Sequence, residues 1–147
     1  MVIVGVIGGR DVSPWHLREA EETGRLIAVN GGLLVCGGLS GVMEAACKGA
    51  KEAGGLTVGI LPQGQKTHAN PYVSVPIATG MGMARNAIIA QTADVLIAIG
   101  GSYGTLSEIA YGLQFNKPVI GLGTWAIEGV ITAESAAEAV DKAFNCH

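Results

Sequence analysis

The residues best suited to chemistry stand between positions 94 and 108. Asp94-Val95-Leu96-Ile97-Ala98-Ile99 is an apolar run of strand character, Gly100-Gly101-Ser102-Tyr103-Gly104-Thr105 a glycine-rich turn, and Leu106-Ser107-Glu108 the opening of a helix. Backbone N–H groups presented by such a turn at a helix N-terminus bind anions, usually phosphate. Glycine is required there because it enters left-handed backbone angles and lets the main chain approach a ligand closely. Ser102 and Thr105 add hydroxyl donors, and Glu108 falls about one turn inside the helix.

Charge placement sharpens this reading. Between Lys66 and Lys117 the only charged residues are Arg85, Asp94 and Glu108. Arg85 shares an otherwise apolar stripe with Ile88 and Ile89, and an unpaired buried cation is costly, so it needs an anionic partner. That partner is either Glu108, in a structural ion pair, or a ligand phosphate. Glu108 has a plainer use as well, since a carboxylate near a helix start gains ~0.3–1 kcal/mol from the helix dipole. Asp94 begins a strand at the edge remote from the glycine turns and reads as a turn or cap residue.

Two further glycine turns follow strands: Gly8-Gly9, and Gly37-Gly38 with Gly41. Each alone is ordinary turn chemistry. In an open parallel sheet, however, all three emerge at the carboxyl edge, where ligands bind near the point of strand-order reversal. Neither common nucleotide fingerprint is present: the first strand is followed by Gly5-x-x-Gly8-Gly9, not G-x-G-x-x-G, and no Gly-Lys-Ser/Thr occurs.

The elements that must position these residues alternate along the chain. Val2 to Ile7 is a continuous apolar run, the mark of a strand covered on both faces. Pro14 suits the start of a helix with Leu17, Ala20, Gly24, Ile27 and Ala28 at helical spacing, stopped by Asn30-Gly31-Gly32. Leu33 to Cys36 is a second strand. A second helix runs from about Gly41 to Ala53, its small residues allowing close approach to a sheet, and Leu56 to Leu61 is a third strand. Pro62 to Pro71 is a polar loop, either a lid or a solvated connection.

Tyr72 to Ile77 reads as a strand weakened by Pro76. The stretch Met81 to Ala93 reads as a helix apolar nearly all round, to be buried or to face another subunit. Asp94 to Ile99, a helix from Gly104 to Phe115 with Leu106, Ile109, Ala110 and Leu113 inward, and a strand from Pro118 to Leu122 complete another unit. A last helix spans Glu134 to Phe144, with Ala137, Val140 and Phe144 inward. This alternation predicts an α/β fold: a doubly wound, mostly parallel sheet with helices on both faces. No linker divides the chain, so residues 1–147 read as a single domain.

Composition narrows the functions. Charged residues make up 14% of the chain, well below the roughly 25% of an average domain, which points to surface covered by self-association: a dimer at least, or a dimer of dimers. Net charge is −3 with no basic run, which argues against nucleic acid, whose binding rests on clustered Lys and Arg. No apolar run reaches the ~18 residues needed to cross a membrane. Cys36, Cys47 and Cys146 are odd in number and lack CxxC spacing, fitting a reducing cytoplasm and inert burial. His16, His68 and His147 have no metal-ligand spacing and read as surface residues. Trp15 and Trp125 read as packing residues, with stacking on a flat ring as the other use of such side chains.

Gly100 to Glu108 resembles the P-G-G-x-G-T-x-x-E signature of the LONELY GUY (LOG) proteins, long mislabelled as lysine decarboxylases, a group that includes the molybdenum cofactor carrier proteins. Cys36-Gly37-Gly38-Leu39-Ser40-Gly41-Val42-Met43 resembles that family's G-G-G-x-x-G-L-M segment, and Met83-Ala84-Arg85-Asn86 falls where the family carries a helix with a functional Arg. The resemblance covers nearly the whole chain in order. It implies a Rossmann-like sheet, association through helices near the site, and a small phosphorylated ligand. Among the phosphoribohydrolase members the reaction is cleavage of a nucleoside 5′-monophosphate to free base and ribose 5-phosphate.

Carried over residue by residue, Gly101, Gly104 and Thr105 bind the phosphate, and Arg85 and Glu108 are the catalytic pair if the chain is a hydrolase. Gly8, Gly9, Gly37, Gly38, Asn86, Gly100, Ser102 and Tyr103 complete the candidate ligand site. No cofactor is required for catalysis; a nucleotide or a molybdenum cofactor would be ligand.

Lysine decarboxylation is rejected, because no lysine lies between Lys66 and Lys117 to form a Schiff base beside the phosphate turn. Four departures from the hydrolase pattern stand out: Gly100 for Pro, Ser102 for Gly, Asn86 after Arg85 where hydrolases have Lys, and Gly-Val-Met-Glu for Gly-Leu-Met-Gly. They bring the chain closer to the short branch of molybdenum cofactor carriers, whose members bind a phosphate-bearing pterin without converting it. The leading expectation is therefore a carrier, with LOG-type hydrolysis as the alternative.

Overall fold

The computed structural model describes residues 1–146. Seven parallel strands form one sheet in the order β4-β3-β2-β1-β5-β6-β7: β1 Ile3–Gly8, β2 Leu33–Cys36, β3 Thr57–Leu61, β4 Val75–Ala78, β5 Val95–Ile99, β6 Val119–Leu122 and β7 Ile131–Ala133. Five helices connect them: α1 Pro14–Val29, α2 Val42–Glu52, α3 Arg85–Thr92, α4 Tyr103–Gln114 and α5 Ala136–Asn145. This is the doubly wound, Rossmann-like α/β fold that the strand–helix alternation predicts. Strand order reverses between β1 and β5, which pair from Val4↔Val95 to Gly8↔Ile99.

Side chains of the central strands alternate between two cores, as the strand period of two requires. Val4 and Val6 of β1, with Val95, Ile97 and Ile99 of β5, face α1, α2 and α5. Ile7, Leu96 and Ala98 face α3 and α4, against Ile89, Ala90 and Ile109. With both faces covered, β5 is buried at every position, which explains its unbroken apolar run. On the first face α1 and α2 almost touch, since a Cβ on Gly24 or on Gly49 would collide with the other helix's backbone.

Several boundaries differ from the sequence expectation. β7 is an additional short edge strand, its exposed Ile131-Thr132 too short to give an apolar run to recognise. β4 begins at Val75 rather than Tyr72, and Pro76 is accommodated because β4 is an edge strand that pairs only with β3. The stretch 81–93 opens with a single 3-10 turn over Gly82–Ala84, so the α-helix starts only at Arg85. The expected burial applies to Ile89 and Ala90, whereas Met81 and Met83 stand exposed.

In α5 Val140 is inward and Phe144 packs against the core as expected, but Ala137 is exposed, and Ala136, Ala139 and Ala143 complete the buried side. In α4, Ala110 is exposed and Glu108 takes a core-side position. Asp94 caps as expected, its Oδ2 accepting the Ile3 N–H at 2.8 Å. No helix among the described residues is long and apolar enough to cross a membrane.

Candidate functional site

The turn between β5 and α4 is held open from behind. Gly100 and Gly101 have φ of +58° and +106°, angles that L side chains rarely adopt. Thr124, just past β6, donates its Oγ1–H to the Gly100 carbonyl at 2.6 Å, and Trp125 donates its indole N–H to the Ser102 carbonyl at 3.0 Å. These bonds secure the Gly100 and Ser102 carbonyls, and the Gly100 N–H is tied to the Leu122 carbonyl at 3.3 Å. Within α4 the Leu106 N–H reaches back to the Ser102 carbonyl at 3.0 Å. Ser102 sits at the cap position without a side-chain hydrogen bond to the helix, and the first turn carries no acidic residue. The leading amides of a helix without such a cap are the groups that attract an anion.

Facing this turn is Arg85, the first residue of α3, with only 6% of its surface exposed. Its Nη1 donates to Asn86 Oδ1, and its Nε is buried without a hydrogen-bond partner. Asn86, itself 1% exposed, donates Nδ2 to Ser107 Oγ at 2.9 Å, and Ser107 donates to the Gly104 carbonyl at 2.8 Å. The start of α3 is thus braced to the start of α4. Gly37 makes room for the cation, since a Cβ there would stand 2.6 Å from Arg85 Nη2.

Between these walls lies a cavity of about 200 Å³ lined by Gly8, Gly9, Arg10, Leu39, Met43, Met83, Arg85, Asn86, Ser102, Gly104, Thr105 and Glu108. It sits over the β1–β5 switch point, where open α/β sheets place their ligands. Glu108 is 6% exposed and makes no ion pair within 4 Å among the described residues, so the structural pairing with Arg85 is not formed as a direct contact. Burial pushes its carboxyl up to about 8, with Arg85 pulling the other way. Burial works against the Arg85 charge in turn, and Glu108 and Cys36 support it.

Not every candidate residue enters this cavity. Gly37 lies beneath Arg85, and Gly38 packs against Leu61 and Gly59. Gly100 and Gly101 line a second, more open depression of about 670 Å³ together with Asp11, Val12, Ser13, His16, Gly123, Thr124 and Trp125. The Tyr103 side chain is 81% exposed and turned to Trp125, with ring centroids 6.2 Å apart, so only its backbone belongs to the turn.

His16 is more than a surface residue. Its Nδ1 lies 2.7 Å from Ser13 Oγ and its Nε2 2.9 Å from the Gly123 carbonyl, joining the start of α1 to the end of β6. The polar loop 62–71 is tied down at its end by Asn70, which donates to the Leu39 carbonyl at 2.8 Å and receives the Tyr72 N–H. Arg10, Leu39, Met43 and Met83 were not anticipated. Arg10 carried a readable signal, as the cation that directly follows Gly8-Gly9; Leu39, Met43 and Met83 stood within the motif segments without being singled out.

The sequence profile of the SLOG cluster4 family matches residues 1–145. A protein of Archaeoglobus fulgidus is 48% identical over 94% of this chain and 91% of its own length. The cytokinin riboside 5′-monophosphate phosphoribohydrolase of Mycobacterium tuberculosis is 31% identical over 77% of this chain and 67% of its own. Among solved structures, the molybdenum cofactor binding protein of Rippkaea orientalis superposes with a TM-score of 0.93 at 39% identity, covering 98% of this chain and 96% of that one. The molybdenum cofactor carrier protein of Chlamydomonas reinhardtii gives 0.88 at 38% identity, with the same coverage. With its signature turn, its switch-point cavity and a profile match from end to end, the chain belongs to the SLOG cluster4 family, within the LOG-like group to which the sequence motifs point.

Proposed function

We propose that the protein binds and carries a small phosphorylated ligand, a nucleotide or a molybdopterin-type cofactor, in the cavity at the β1–β5 switch point. The observation that carries this reading is the pairing of uncapped α4 amides with a buried Arg85 whose Nε has no hydrogen-bond partner among the described residues. An anion between them meets the helix amides and balances the guanidinium charge. Gly8, Gly9, Ser102, Gly104 and Thr105 form the seat, with Arg85 and Asn86 opposite and Arg10 at the mouth. Likeness to the carrier and cofactor-binding structures over almost their whole length supports the choice of ligand class.

Glu108 bears on the choice between carrying and cleaving. Its raised pKa keeps the carboxyl largely protonated at neutral pH, and a neutral group beside a phosphate avoids repulsion. Stabilising an oxocarbenium-like ribose requires the ionised form instead. The hydrolase reading keeps one specific support, the 31% identical phosphoribohydrolase, with Arg85 and Glu108 as its catalytic pair.

The experiment is to identify what co-purifies with the protein and then to incubate it with AMP. Bound molybdenum cofactor or nucleotide without turnover supports the carrier. Release of adenine and ribose 5-phosphate, abolished in Glu108→Ala, would replace it with the hydrolase. Arg85→Ala is expected to weaken a phosphorylated ligand about tenfold or more while sparing its dephosphorylated form; equal loss for both refutes the phosphate contact.

Two copies pair through the exposed surface at the starts of α3 and α4, where Met83, in the turn before α3, and Tyr103 are 63% and 81% exposed. A monomer by light scattering overturns that association. The unbridged cysteines suit a reducing cytoplasm.

A further inference from the structure

We infer that the open depression beside the cavity seats the ring of the same ligand, and that Asp11 selects rings bearing the amino-oxo edge shared by guanine and pterins. The inference rests on the phosphorylated-ligand reading above and adds to it the identity of the ring. The two hollows are neighbours: Gly9 borders the cavity and Gly101 the depression, and these residues are in contact, a Cβ on Gly9 standing 3.0 Å from Gly101 Cα. No side chain rises from either glycine, so a ligand whose anion lies at the α4 amides can cross this low saddle.

On the far side the depression offers a flat apolar wall and one free charge. Trp125 supplies the wall, and its ring is held in place by the hydrogen bond to Ser102 and by the Tyr103 ring. A fixed indole is a good stacking surface for a heteroaromatic ring. Asp11 supplies the charge. Among the described residues it makes no hydrogen bond and no ion pair, and the capping of α1 falls to Ser13, whose Oγ accepts the His16 N–H at 3.3 Å. The remaining polar side chains are occupied: Thr124 bonds Gly100, and His16 lies between Ser13 and Gly123.

A free carboxylate has two acceptor oxygens and no donor. Guanine and pterin rings present a ring N–H beside an exocyclic amine, two parallel donors that match it. Hypoxanthine keeps the ring N–H and lacks the amine. Adenine presents a bare ring nitrogen beside its amine, and that lone pair repels the carboxylate.

The test uses the full chain with Trp15→Phe, which leaves Trp125 as the single tryptophan. Quenching of its fluorescence is followed with GMP, IMP, AMP and neopterin monophosphate, in this background and with Asp11→Asn or Arg85→Ala added. Expected is quenching by GMP and neopterin monophosphate with affinities about tenfold above AMP, IMP falling between. Asp11→Asn, an exposed change whose melting curve checks the fold, weakens GMP and, with the repulsion of the adenine ring nitrogen gone, does not weaken AMP, so the two affinities converge. Arg85→Ala weakens all four. Equal binding of GMP and AMP, untouched by Asp11→Asn yet lost in Arg85→Ala, overturns the ring assignment and leaves the phosphate reading standing. Binding of none of the four overturns both.

Discussion

The guanidinium of Arg85 rests directly over Gly37, with Met43 Sδ on the same spot: a Cβ on Gly37 would meet Nη2 at 2.6 Å and the sulfur at 2.8 Å. A turn residue just past β2 thereby sets the position of a cation on α3. Gly37 does not occupy a left-handed backbone angle, so alanine is free of backbone strain there, and the atoms it displaces are flexible side-chain ends. Gly37→Ala is therefore expected to shift the melting free energy by less than about 1 kcal/mol while lowering affinity for a phosphorylated ligand about tenfold. Parallel melting and binding curves separate the two effects. Large destabilisation with unchanged affinity would show that Arg85 is not what Gly37 accommodates.

The buried carboxyl of Glu108 links stability to pH. Its folded-state pKa of about 8 lies above the ordinary carboxylate value of 4.5. Below pH 4.5 both folded and unfolded forms are protonated and no penalty applies. Above it, the unfolded chain ionises freely while the folded one holds its proton, so stability falls with rising pH until the folded group also ionises near 8. Glu108→Gln removes this loss. The variant is expected to be more stable than the parent by a few kcal/mol at pH 8 and by little at pH 4. Denaturant melts across that range check it, and a gap that does not widen with pH defeats the assignment.

The same group predicts a pH limit on binding. Ionised Glu108 places a negative charge in the cavity that the ligand's own phosphate must face. Affinity for a phosphorylated ligand is expected to fall as pH rises through about 8, and the fall should disappear in Glu108→Gln. Isothermal titration at pH 7 and pH 9 gives the answer.

Asn86 is where the chain departs from the Arg-Lys pair of hydrolases, and its position gives the departure a physical meaning. The amide accepts a hydrogen bond from Arg85 with its oxygen and donates one to Ser107 with its nitrogen. A lysine has donors only and cannot accept from Arg85. Asn86→Ala is expected to cost about 1–3 kcal/mol, because the amide is buried and its partners are left unsatisfied. Asn86→Lys should fold less well still, with two cations side by side at the start of α3. Thermal melts of the pair give that order or contradict it.

The fold and the glycine turn were legible because their signals are local. A strand buried on both faces, such as β5, must be apolar throughout, and a turn with two left-handed residues, such as Gly100-Gly101, must be glycine. The placement of Arg85 near the turn was legible too, since an isolated cation in an apolar stretch has few affordable positions. What the sequence hid depends on distances between segments far apart in the chain. Met43 and Met83 line one cavity only because α2 and the turn before α3 come together there. His16 and Gly123 are 107 positions apart and meet only because α1 starts beside the end of β6. Trp125 reads as packing, and only the folded chain shows its indole N–H on Ser102. β7 was missed because an exposed edge of three residues carries too little pattern to see.

The glycine turn itself can be tested apart from any ligand by comparing two left-handed glycines. Gly54 has φ of +82° with nothing within 4 Å of an added Cβ, whereas Gly101 has φ of +106° and an added Cβ would run into the Thr105 side chain. Alanine at position 54 bears the backbone cost alone, about 1–2 kcal/mol. At position 101 it bears that cost and a clash besides, and the turn can relieve the clash only by rotating Thr105 or by tilting the first turn of α4. The expectation is a loss at 101 clearly larger than at 54, together with loss of phosphorylated-ligand binding at 101 alone. If both variants melt alike and bind alike, the amides between Gly101 and Thr105 are not held in the arrangement that makes them a seat for an anion.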